Sequence, residues 1–148
     1  MTRELLDFLD DVAKAIDPEY MVSAHCDNEA FIEEKIIGLN TDAYLVSFYF
    51  IANMYRNKHA KKLPLLHPFT WTFLHELGHL ETTDKMDNDI EVRNRLSYAP
   101  LTVRDSFEEY SKLHNEKIAN KWAVQFVLEN KKVIKEVDRI ITNMLSEE

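Results

Sequence analysis

Hydrophobic and polar positions divide this chain into a few readable stretches. Between residues 3 and 16, Leu5, Phe8, Leu9, Val12 and Ile16 recur at helical spacing with acidic residues between them. Thr2 can cap the start of that helix, and Asp17-Pro18 can stop it. Residues 20–24 and 31–39 predict two short strands, the second ended by Gly38 and Asn40. Residues 41–57 are apolar on almost every side, which predicts a helix buried all round.

Leu63-Pro-Leu-Leu-His-Pro-Phe reads as a linker, because its prolines oppose helix, and a helix is expected from near Thr70 to about Thr83. Residues 84–101 are polar and predict a long loop of the kind that often carries function. Helices are expected again at about 102–113, 115–129 and 131–146. The last has the stripe Val133, Ile134, Val137, Ile140, Ile141, Met144 and Leu145, a docking face for the core. The pattern predicts one α+β domain over 1–148, mostly helical, with a small sheet packed beside the helix near residue 75.

Composition agrees with that class. At 148 residues, 45% hydrophobic and 30% charged, the chain can bury a core, and two glycines are few for a turn-rich all-β protein. A net charge of -8 does not favour nucleic acid, which rewards clustered cations. The cluster Arg56, Lys58, Lys61 and Lys62 reads as a solvated helix end. A single cysteine, Cys26, excludes an internal disulfide, and no segment reads as a signal peptide or membrane span. Together these features predict a cytoplasmic protein. Neighbouring His25 suggests a nucleophile pair with Cys26, but adjacent strand residues point to opposite faces, so the pair is set aside.

The candidate chemistry is His75-Glu76-Leu77-Gly78-His79, a match to H-E-x-x-H. On a helix, residues i and i+4 lie one turn apart on one face, so the two imidazoles can share a zinc ion. Glu76 sits beside them to take a proton from water as it attacks a carbonyl. The flanking Phe69, Trp71, Phe73, Leu74, Leu77 and Leu80 predict burial, and buried imidazoles and a carboxylate are costly unless partnered. Gly78 costs about 1 kcal/mol against Ala inside a helix, which makes sense if another element approaches there.

Catalytic zinc takes three protein ligands. A continuation into G-x-x-H would supply a third histidine, but the chain reads Leu80-Glu-Thr-Thr-Asp. A carboxylate from a later helix is expected instead. Glu116 is the leading candidate, with Asn120 and Ala123 on its face and with Ala119 and Ala123 small enough to pack close to Gly78. Glu108, Glu109 and His114 are rivals. Donors to a developing oxyanion are sought at His114, Tyr98, Tyr110 and His67, and groups to orient a ligand histidine at Asp84, Asp87 and Asp89.

Three segments carry a family resemblance. Phe69-Thr-Trp-Thr-Phe-Leu-His-Glu-Leu-Gly-His-Leu resembles the "RFTLAHELGHLLL" segment of the ImmA/IrrE-type metallopeptidases, a gluzincin-like family. Glu116-Lys-Ile-Ala-Asn-Lys-Trp-Ala resembles its downstream "ExEANxFA" element, and Lys35-Ile-Ile-Gly-Leu-Asn its strand ending in "INxx". The resemblance spans roughly 35–127 and implies a zincin-like fold, His75, His79 and Glu116 as zinc ligands, and Glu76 as the base. It also implies a cytosolic protease acting on a repressor-type regulator, often encoded by a mobile element or phage or in a stress operon. The chain departs from the family in its longer 41–62 insert, in Pro68 where the family has arginine, in the long stretch between His79 and Glu116, and in lacking a helix-turn-helix element. The alternative is a regulatory module that holds zinc and sequesters a partner without cleaving it. A structural protein without catalysis is the third reading.

Overall fold

The computed structural model describes residues 2–40, 62–85 and 114–146. The expected helices at 41–57 and 102–113, most of the 84–101 loop, and the candidates Glu108, Glu109, Tyr98, Tyr110, Asp87 and Asp89 lie outside the described residues.

The described chain is α+β. Helix α1 spans Arg3–Ile16, with the Thr2 side chain accepting from the Leu5 amide at its start. Its buried face is Leu5, Leu9 and Ala13, at i, i+4 and i+8, as the apolar spacing requires. Strands β1 (Met21–Ala24), β2 (Glu29–Phe31) and β3 (Ile36–Leu39) form one sheet in the order β1-β3-β2. β1 runs parallel to β3 with Val22 opposite Ile37, and β2 runs antiparallel to it with Ala30 opposite Ile37.

The single strand expected over 31–39 is therefore two strands joined by a turn. Glu33, Glu34 and Lys35 place three charges at the tip, and Lys35 takes a left-handed backbone with φ of 58°. Its amide closes the turn on the Ile32 carbonyl at 3.3 Å. Gly38 does not end a strand but lies within β3. A Cβ there would come within 2.9 Å of His25 Cβ and 3.0 Å of Phe31 Cε2, so glycine lets those rings cross the sheet.

Helix α2 spans Pro68–Glu81 and begins two residues earlier than the prolines suggested. Pro68 occupies the first helical position, where a missing amide hydrogen costs nothing. Every residue from Phe69 to Leu80 is buried. A short 3-10 turn, Thr83–Lys85, follows. Helices α3 (His114–Glu129) and α4 (Lys131–Ser146) complete the described chain. α4 buries Ile134, Val137 and Ile141 and leaves Val133 62% exposed.

The sheet and α3 both pack against α2, while α1 lies on β1 and touches α4. Asp10 of α1 accepts from the Val22 amide at 2.9 Å, so the outer edge of β1 is met by a side chain. Among the described residues no helix is long and apolar enough to cross a membrane.

Candidate metal centre

The site is made where α2 and α3 cross. A Cβ at Gly78 would lie 2.7 Å from the Ala119 carbonyl oxygen and 3.2 Å from its Cα. Glycine on one helix and alanine on the other thus bring the two backbones into direct contact. Glu116 lies one turn before that crossing and Asn120 one residue past Ala119, so both side chains reach the motif face of α2.

One oxygen of Glu116 lies 2.6 Å from His75 Nε2 and 3.0 Å from His79 Nε2. The two Nε2 atoms are 3.2 Å apart, with the rings nearly perpendicular at 89°. The ligand atoms of His75, His79 and Glu116 all lie within 4.8 Å of one another, and all three residues are buried. Three ligands of a tetrahedral zinc at about 2.0–2.1 Å stand roughly 3.3 Å apart. The observed triangle is slightly tighter than this, so a small outward movement of the carboxylate would admit an ion. These three residues can hold a metal.

His75 is fixed from its other side. Its Nδ1 is 2.6 Å from the Asn120 amide oxygen, an acceptor, so Nδ1 carries a proton and Nε2 is the ring nitrogen left to face the cluster. The sequence showed Asn120 on Glu116's face without a task for it. The available signal was the spacing, since a residue one turn beyond a ligand reaches the far side of the histidine that this ligand meets.

The electrostatics follow from burial and pairing. Burial pushes the His75 imidazole down, but the Glu116 carboxylate outweighs it, with help from Glu76 and Asn120, and brings it up to about 9. Burial raises Glu116, yet His75 and His79 hold its carboxyl well below the ordinary value. The metal-free cluster is therefore an imidazolium–carboxylate pair whose atoms are the ones an ion would take in exchange for protons. Glu76 is 7% exposed and stays out of the triangle, its carboxylate 4.0 Å from His75 Nε2. Burial pushes its carboxyl up, His75 and His79 draw it down, and Glu116 and Glu29 push it up further. A carboxyl raised this way suits a group that must accept and release a proton.

Of the remaining candidates, the side chain of His114 lies outside the described residues, and those that are described are placed elsewhere. His67, sought as an oxyanion donor, instead caps α2, where its Nδ1 accepts from the Phe69 amide at 3.0 Å. Asp84 is exposed in the 3-10 turn and meets none of the three cluster residues. His25 and Cys26 lie just past β1, so the opposite-faces argument does not apply to them, and Sγ approaches Nδ1 at 3.8 Å. Both are exposed, and His25 Nδ1 also accepts from the Asp27 amide at 3.3 Å.

Comparisons with family models, curated proteins and solved structures return no match for this chain. The likeness to the ImmA/IrrE-type peptidases accordingly stands on the residues of its three segments.

Proposed function

We propose that this chain is a zinc-dependent peptidase, with His75, His79 and Glu116 holding the ion and Glu76 as general base. The observation that carries the reading is the separation of two roles within one buried cluster. Three side chains converge on one point, and a fourth, the Glu76 carboxylate, stands 4.0 Å from His75 Nε2 without joining them. A structural metal site has no use for that fourth group. Zinc held there supplies Lewis-acid polarisation of water and of the substrate carbonyl. Glu76 takes the proton from the attacking water and passes it to the leaving amine. Asn120 keeps His75 in the tautomer that faces the ion.

A protein substrate fits the surroundings. β2 is an edge strand among the described residues and packs beside α2, so an extended peptide laid along it would run close to the motif. Read as zincin-like, and taken with the family resemblance, the arrangement supports a cytoplasmic enzyme acting on a repressor-type regulator.

A second reading has its own observation. His75, Glu76 and His79 are each no more than 9% exposed, whereas catalytic zinc needs a position open to water. That burial favours a zinc-holding module that sequesters a regulator without cleaving it. The two readings separate on Glu76→Gln, tested with a repressor-like protein encoded beside the gene. The peptidase reading expects cleavage by wild type and a loss of about 10²–10⁴-fold in the variant, with zinc retained. An intact neighbour whose repression both forms relieve equally supports the sequestering module.

A further inference from the structure

Eight residues before His75, the start of α2 is held in an unusual way. His67 is the N-cap, and its Nδ1 accepts from the Phe69 amide at 3.0 Å. Serine, threonine, aspartate and asparagine usually fill this position, and over the physiological range their acceptors do not disappear. An imidazole is an acceptor only while neutral. The same turn is pinned from α4, where one oxygen of Asp138 accepts from the His67 amide at 2.9 Å and from the Thr70 hydroxyl at 2.6 Å.

We propose that His67 is an acid-released cap on the helix that carries the metal-site residues. Above its titration the neutral ring closes the first turn of α2. Below it, Nδ1 gains a proton, the Phe69 amide loses its acceptor, and a cation sits at the positive end of the helix dipole. The side-chain anchor from Asp138 remains at the start of α2. The site helix would thus loosen in acid from the end remote from His79, whether or not the site is hydrolytic.

The direction of titration agrees. Burial lowers the imidazole below its ordinary 6.5, and the charged group that opposes this among the described residues is Asp138 on α4. The folded value is depressed, so the unfolded chain binds more protons below 6.5. Stability from the neutral cap is full above 6.5 and is lost as pH falls through the folded value.

Nuclear magnetic resonance of the full chain tests this without any substrate. The His67 ring nitrogens should report the Nε2–H tautomer at neutral pH and a midpoint below 6.5, with exchange protection of the Phe69 amide lost in the same step. A midpoint at or above 6.5, or a Phe69 amide unmoved through that step, overturns the proposal. His67→Asn gives an independent check, because asparagine keeps a capping acceptor that does not titrate. The ratio of unfolding constants, wild type over variant, should rise about fivefold between about pH 7 and about pH 5, the worth of one cap. Titration of other histidines cancels in that ratio, and a ratio independent of pH contradicts the cap.

Discussion

Two helices of similar length, α2 and α4, solve opposite problems. α4 buries one stripe, Ile134, Val137 and Ile141, and leaves Lys131, Lys132, Lys135 and Glu136 in water. α2 buries twelve consecutive residues, five of them polar: Thr72 bonds back to the Pro68 carbonyl, while Thr70, His75, Glu76 and His79 interact with other helices or with one another. On α4 a charge is tolerated because solvent reaches it. On α2 each polar group needs a partner: Asp138 for Thr70, Glu116 for both imidazoles and Asn120 for His75. No side-chain nitrogen or oxygen among the described residues is buried without a partner. A helix that carries its polar groups inward therefore depends on a second helix at a fixed distance, and a helix with one apolar stripe does not.

The largest effect expected from breaking this dependence is at Glu116. Glu116→Ala leaves two buried imidazoles without their carboxylate and should destabilise the metal-free protein by about 3–5 kcal/mol in urea unfolding. The pair also has a pH signature. The His75 value is raised from 6.5 to about 9, so its contribution is fully present below 6.5 and lost as pH rises through about 9. Metal-free wild type should weaken over that range, and His75→Gln should remove the slope. A slope of the same size in His75→Gln would assign it to another group.

Next in size is the crossing itself. Gly78→Ala gains about 1 kcal/mol in helix propensity. It also forces the added carbon against the Ala119 backbone, 2.7 Å away, and overpacking of this kind costs about 1–3 kcal/mol. Clash should win, so the variant should be less stable and bind zinc more weakly. A more stable Gly78→Ala would show that the helices are farther apart than described.

Asn120→Ala comes third and is expected to act on the ion more than on the fold. Loss of a group that orients a ligand histidine typically weakens metal affinity by about 10–100-fold, readable by competition with a chelating dye. The smallest effect belongs to α4: Val133→Ser, at a position 62% exposed, should stay within about 0.5 kcal/mol of wild type. A large loss there would mean that this face of α4 is covered.

How much the sequence foretold follows the same division. α1 and α4 announced themselves because one face is apolar and the other charged, and their bounds agree with the spacing. The three proposed ligands were legible from chemistry, since His75 and His79 stand one turn apart and Glu116 opens a later helix with small residues following it. Asn120 and His67 were not legible in their roles. Each acts through a side-chain hydrogen bond whose partner depends on how helices cross or begin, and periodicity does not encode that. The β2–β3 turn was hidden because Ile32 and Ile36 continue an apolar pattern across Glu33, Glu34 and Lys35, and only the left-handed Lys35 backbone reveals the reversal.

Whether His75, His79 and Glu116 hold a zinc ion is decided by a crystal structure of the zinc-titrated chain with anomalous data at the zinc edge. One strong anomalous peak per chain is expected at about 2.0–2.2 Å from His75 Nε2, His79 Nε2 and a Glu116 oxygen, with Glu76 beside it and unligated. A chelator-stripped protein that takes up no zinc, or a peak held by other residues, would contradict that assignment.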